Sequence, residues 1–253
     1  MQLFQQVKET LFFYQTLKIH AYARKSVYTG MLCKKIPRDE IKTVIEIGAR
    51  DLRDTFAIKL YYNPKIIYVF EANPAALTIC AKTLKRYWMF RKGIYFIPKA
   101  VWNENKVIKF YSMQGTKLKH SNQAINPNIG GSSCFGQAIF NKDEEIIQQE
   151  VDVEAVRLDS FCIEHRIAEI DLLCMDIEGA EYNALIGLGE YINKVNYIIT
   201  EVTLKPGRIG QACFDVVEPF LKSKGFVLLD TLSDDNPEYC NFLFAQKDLL
   251  LEI

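Results

Sequence analysis

From Lys42 onward, short apolar runs alternate with helical stretches, and several of the runs stop on a glycine or a carboxylate. Thr43–Ile47 leads into Gly48, Ile66–Phe70 into Glu71, Ile170–Met175 into Asp176, and Val195–Thr200 into Glu201. Each run is too short for a stable helix and apolar on both faces, which reads as a strand covered on both sides. Between them Asp51–Tyr61, Asn73–Arg86, Leu158–Ile167, Ala180–Leu188 and Gln211–Lys224 read as helices, Pro74 taking the favoured first position. Ile94–Ile97, Phe226–Leu229 and Phe242–Ala245 complete the strands, while Val107–Tyr111 and Val151–Val156 alternate like an antiparallel extension. An α/β fold follows, with a mostly parallel sheet and helices on both faces. Ligands of such sheets bind beyond the carboxyl ends of the strands, so the four marked ends predict one shared site.

The 253 residues suit one sizeable domain rather than two. We assign residues 41–253 to it and residues 1–40 to an N-terminal helical extension, since apolar residues recur at helical spacing from Leu3 to about residue 30. That helix reads either as a membrane-surface or partner-binding element or as one packed on the domain's own core; its sparse basic face favours core packing. Residues 113–148, rich in Asn, Gly, Ser and Gln, form the one long irregular stretch and are expected to be a lid or binding loop.

Lys+Arg and Asp+Glu balance at 31 each, so no global basic field draws nucleic acid. Seven scattered cysteines without a CxxC pair read as buried free thiols. No run reaches the ~18 apolar residues of a membrane span, and the signal-peptide order of basic, apolar and small residues is missing at the start. The expected location is cytoplasmic. Nothing in the pattern speaks to oligomeric state.

Chemistry concentrates at the strand ends. Asp176, Glu178 and Glu181 cluster in the turn after Met175, and carboxylates brought there need a ligand, a cation or water. Gly48 lets backbone approach a ligand at a helix N-terminus. Glu71 occupies the place at which an acid accepts hydrogen bonds from ribose hydroxyls.

Val44–Asp51 (VIEIGARD), Tyr68–Pro74 (YVFEANP) and Leu172–Leu185 (LLCMDIEGAEYNAL), in this order and spacing, resemble the FkbM-type S-adenosylmethionine-dependent methyltransferases. Asn128–Ser133 is similar to the family's Gly-Ser-Ser segment, and Arg157-Leu158-Asp159 to the start of the helix before the last motif. The resemblance implies a class I methyltransferase (Rossmann-like) fold with a seven-stranded, mostly parallel sheet plus the N-terminal helix. It implies S-adenosylmethionine as donor and O-methylation of a sugar, glycan or similar small molecule. By position, Glu46, Gly48, Ala49 and Arg50 would line the methionine part of the cofactor. Glu71 and Ala72 would hold the ribose, and Ala100 and Val101 would flank the adenine, with Trp102 available to stack. Asp176 would reach both cofactor and acceptor, and Ser132, Ser133, Glu178, Glu181 and Glu201 would meet the acceptor. Three positions depart from the pattern: Arg50 for Asn, Leu52 for the second glycine, and Cys174 for the lysine before the acidic motif.

In-line displacement requires a base to take the acceptor proton; Asp176 and Glu178 are first candidates and His120 the next. His165 is expected at the surface. Asp176, Glu178 and Glu181 also suit Mg²⁺ or Ca²⁺, but no fourth ligand accompanies them, and no metal is assigned. A NAD-dependent oxidoreductase is disfavoured because a diphosphate wants the glycines that Arg50 and Leu52 replace. A non-catalytic cofactor or partner binder is the remaining alternative. A nucleic-acid methyltransferase conflicts with zero net charge, and the run Lys82, Lys85, Arg86, Arg91, Lys92 reads as a solvated helix face.

Overall fold

A computed structural model describes residues 2–30, 32–118, 129–136, 144–233 and 238–250. After α1 (Gln2–Ala23) the chain alternates through β1 (Thr43–Ile47), α2 (Arg53–Tyr62), β2 (Ile66–Phe70), α3 (Pro74–Arg86) and β3 (Ile94–Ile97). A short β4 (Ala100–Val101) precedes two long strands, β5 (Lys106–Leu118) and β6 (Glu144–Val156). Alternation resumes with α4 (Leu158–Glu164), β7 (Ile170–Met175), α5 (Glu181–Gly187), β8 (Val195–Thr203), α6 (Phe214–Ser223), β9 (Phe226–Leu232) and β10 (Tyr239–Gln246).

Seven strands form one sheet in the order β3-β2-β1-β7-β8-β10-β9, parallel except that β10 runs against both neighbours. The seven-stranded, mostly parallel sheet implied by the resemblance is the one found. Strand order reverses between β1 and β7, the place where such a sheet opens a crevice. Alternate residues build two cores, as the two-residue period of a strand requires. Ile45, Ile47, Leu173, Met175 and Phe244 pack with Phe161, Leu185 and Leu221 of α4, α5 and α6. Val44, Ile67, Leu172, Cys174 and Leu243 pack on the other side with Ile19, Phe56, Ile58 and Cys80 of α1, α2 and α3.

α1 lays a narrow stripe of Gln15, Ile19 and Ala23 against this second core. Gln15 Nε2 donates to the Arg86 carbonyl, Tyr22 Oη donates to Asp54 Oδ2 at 2.9 Å, and Ser26 Oγ donates to Asp54 Oδ1. Among the described residues no helix is long and apolar enough to cross a membrane. All seven cysteines are free thiols.

The stretch 113–148 is not irregular throughout. β5 and β6 pair antiparallel into it, with a register shift between Met113 and Gly115, and β6 also pairs with β4 in a second, three-stranded sheet. Polar residues on both strands hid the two-residue period there. Helix ends also differ: α6 starts at Phe214 rather than Gln211, because the Gln211 side chain accepts from the amides of Gly207 and Arg208 and holds that segment as a loop.

Asp54→Ala removes the hydroxyl contacts of Tyr22 on α1 and of Ser26 just after it, and is expected to lower stability by about 1–3 kcal/mol. Thermal melts below pH 7 check this, with faster tryptic cleavage after Lys18 and Arg24 as the local readout.

Candidate functional site

Gly48 turns at φ 89, and a Cβ there would lie 1.9 Å from the Asp176 carbonyl oxygen. The turns after β1 and β7 therefore touch backbone to backbone. Asp176 N donates to the Ile47 carbonyl at 3.1 Å, while Gly48 N and Ala49 N both donate to the Phe70 carbonyl. Arg50 and Leu52 continue the turn with φ of 49 and 65, a left-handed geometry costing non-glycine residues about 1–2 kcal/mol each. Leu52 is fully buried beside Phe56, and burying a leucine is worth about 1.5–3 kcal/mol, which offsets its strain. The bulk replacing the second glycine thus points into the core and leaves the crevice open.

Glu71 joins this turn to the next one. Its Oε2 accepts from Arg50 N at 2.6 Å and its Oε1 from Asn73 N at 2.7 Å. Burial raises its carboxyl and the backbone donors, led by Asn73, oppose that. Asn73 in turn caps α3 through Ala75 N, accepts from Ser112 Oγ, and donates to Ser132 Oγ at 2.9 Å.

Ser132 and Ser133 fasten the segment 129–136 to the rest. Ser132 Oγ accepts from Met113 N and donates to the Ile129 carbonyl. Ser133 Oγ donates to the Glu178 carbonyl at 2.8 Å and accepts from Phe135 N, while its backbone exchanges two bonds with Tyr111. Glu178, at φ 56, receives Arg208 Nη2 on Oε2 at 2.8 Å. The same nitrogen of Arg208 reaches the Gly131 carbonyl, and Nη1 is buried without a partner among the described residues.

These pieces enclose a cavity of about 390 Å³. Gly48, Arg50, Glu71, Ala72, Ala100 and Val101 line it from the cofactor side of the expectation, with Asp176 between. Ser132 and Glu178 line it from the acceptor side. Five expected residues stand elsewhere. Ala49 is buried in the core with Leu52, and Glu46 follows Val44 onto the face covered by α2. Glu181 turns inward, its Oε1 accepting from Ile177 N and Gly179 N, so it ties the turn together. Ser133 stands behind the wall that it holds in place. Glu201 lies near enough to raise the Asp176 carboxyl but is not part of the lining. His120 falls outside the described residues. Trp102 packs against Phe135 at 5.5 Å rather than lining the cavity, and His165 is exposed beside Phe161. Among the described residues no group of three or more His, Cys, Asp or Glu is placed to hold a metal ion.

Sequence reading missed Arg208, Asn73, Lys99, Met113 and Tyr239, all of which line the cavity. Arg208 had a usable signal: it sits in Pro206-Gly207-Arg208-Ile209-Gly210, a turn beyond another strand's carboxyl end.

Burial, then the nearby Glu201, Glu178 and Glu181, push the Asp176 carboxyl well above the usual carboxylate range, and Arg50 pulls the other way. Glu181 is lifted to about 7 by burial, against three backbone amides. Glu46 is lifted to about 8, by burial first and Asp54 second, and neither of its oxygens has a hydrogen-bond partner among the described residues. Its cross-strand neighbour is Cys174, which brings no charge to neutralise it.

A sequence model described as the methyltransferase FkbM domain matches residues 46–228. The chain belongs to the FkbM methyltransferase family. The 2-O-methyltransferase NoeI of Sinorhizobium fredii is 26% identical to it over 160 residues, covering 62% of this chain and 62% of that protein. This chain thus spans less than two thirds of that relative's length. The solved methyltransferase FkbM from Methylobacillus flagellatus KT matches with a TM-score of 0.53 at 12% identity, over 88% of this chain and 47% of that one. That likeness is one of fold. TrmK of M. capricolum, solved with S-adenosyl-homocysteine, matches with a TM-score of 0.48 at 13% identity, over 85% of this chain and 66% of that one. In FkbM terms, the three strand-end motifs that carried the resemblance all meet at the cavity.

Glu46 supplies a pH test. Its folded value lies above its unfolded one, so its contribution to stability is fully present below about pH 4.5 and is lost as pH rises through about 8. Glu46→Gln stays neutral and escapes that loss. Its melting temperature is expected to gain on the parent from about pH 5 to about pH 8 and then level off, by the equivalent of roughly 5 kcal/mol at the top; a difference that stays flat with pH would contradict a neutral Glu46.

Proposed function

We propose that this FkbM-family chain is an S-adenosylmethionine-dependent O-methyltransferase acting on a hydroxyl of a sugar-like acceptor. The observation that carries the reading is the single cavity that joins the Glu71 carboxylate to Asp176 across the Gly48 turn. The residues fit the cofactor. The volume suits a small ligand, and each Glu71 oxygen keeps a lone pair for a ribose hydroxyl after meeting its backbone amide. Phe70, Val101 and Phe110 offer an apolar wall for a base. When bound, S-adenosylmethionine supplies an electrophilic methyl group on a sulfonium.

The protein's own part is to align the acceptor and take its proton. Glu178 is engaged by Arg208, which leaves Asp176 as the base facing the cavity. A carboxylate lifted toward neutrality is a better proton acceptor than an ordinary one. Arg208 and Ser133 fix the wall made by Gly131 and Glu178 and so shape the acceptor end. The name of the NoeI relative, a 2-O-methyltransferase, supports oxygen as the atom methylated. We further assign the activity to residues 41–253 as one domain with 1–40 as an extension. The seven free thiols support a reducing, cytoplasmic setting.

Isothermal titration with S-adenosylmethionine, followed by product mass on a panel of glycans, tests the reading. Glu71→Ala is expected to weaken cofactor binding at least about tenfold. Asp176→Asn is expected to cut turnover about 100-fold or more while the cofactor Kd moves little. Parent turnover should climb with pH, since the base must lose its proton, with the rising limb above the ordinary carboxylate range and absent in Asp176→Asn. Full turnover in both Asp176→Asn and Glu178→Gln would refute the base assignment, and cofactor binding without methyl transfer to any glycan would favour a non-catalytic member.

A further inference from the structure

Charge is balanced over the whole chain but not along it. No Asp or Glu lies between Glu9 and Asp39, and between Asp54 and Glu104 the one acid is Glu71, which is buried in the site. Over those segments the exposed cations accumulate: Lys18 on α1 with Arg24 and Lys25 just after it, and Lys82, Lys85, Arg86, Arg91 and Lys92 on α3 and its following turn. None of these eight makes an ion pair among the described residues, whereas Lys35 and Lys99 nearby do. The two groups belong to one surface. The Gln15 bond to Arg86 holds the middle of α1 against the end of α3, and both helices share one core.

Large apolar side chains stand among these cations. Tyr14 and Leu17 are 57% and 50% exposed on the side of α1 away from its buried stripe, Leu11 is 42% exposed where that stripe's row runs out toward the start of the helix, and Trp88 is 49% exposed just after α3. Exposed apolar groups within a one-sign field match the chemistry of an anionic bilayer surface, where lysines meet headgroups and aromatic rings settle at the interface. Nucleic acid would satisfy the cations but not the aliphatic residues. On α1 alone the basic residues were too few for a lipid-seeking helix; α3 supplies the remainder.

We propose that the α1–α3 face docks the protein on the surface of a membrane rich in anionic lipid, independently of the methyl-transfer chemistry. The test is flotation of the full chain with vesicles of neutral phosphatidylcholine or of phosphatidylcholine containing phosphatidylglycerol. Binding is expected only with the anionic vesicles and should weaken as salt rises. Lys82→Glu, Lys85→Glu, Arg86→Glu and Arg91→Glu together should lower partitioning at least about a hundredfold. An unchanged melting temperature shows that this variant folds. A blue shift of tryptophan fluorescence on binding, lost in Trp88→Phe while Trp102 remains, reports ring insertion. Equal binding to both vesicles, no binding to either, or salt-sensitive binding to RNA with none to vesicles would overturn the proposal.

Discussion

The contact between Gly48 and the Asp176 carbonyl sets the geometry of everything around it. Two turns from neighbouring parallel strands can approach this closely only where one of them has no side chain. Once they meet, the Glu71 carboxylate bridges to Arg50 and Asn73, and Asn73 in turn captures Ser132. Ser133 and Arg208 then close the ring onto Glu178. The site is thus a chain of hydrogen bonds whose first link is a steric allowance.

Four carboxyl groups crowd this small volume, Glu46, Glu71 and Glu181 buried and Asp176 part-exposed on the cavity wall. Glu71 and Glu181 receive backbone amides, the donors that loops at strand ends have to spare. Glu46 lies against Cys174 without a donor and is eased by holding its proton. Asp176 and Glu71 both combine a raised proton affinity with a place on the cavity wall, and of the two Glu71 is the one whose oxygens are held by backbone amides. Partnering thus separates Glu181, which ties its turn together, from Asp176, which faces the cavity, where proximity in sequence does not, since both lie in the same motif.

The sheet was legible because its central strands are apolar on both faces and stop sharply at Gly48, Glu71 and Asp176. β5 and β6 were legible only in part, because polar residues on both of their faces erase the alternation that marks a strand. Within the site, sequence located the ends of β1, β2 and β7 but not that of β8, which runs past Glu201 to Thr203, nor the direction of each side chain. Ser132 and Ser133 spend their hydroxyls on neighbouring loops, a matter of rotamer and loop path that spacing does not encode. Arg208 escaped notice because a turn carries no periodicity, although its place beyond β8 follows the same rule that found Asp176. Leu52 looked like an obstruction in the sequence. Its left-handed backbone turns it into the core.

The reversed direction of β10 has an architectural consequence. Parallel strands offer the crevice their last residues, but an antiparallel strand arrives there first, and so Tyr239 at the beginning of β10 forms part of the cavity wall. Tyr239 pairs with Thr203 at the end of β8, so a side-chain change at 239 alters that wall without shifting any parallel strand. Evolution can therefore reshape that wall through one position while Gly48, Glu71 and Asp176 keep their places.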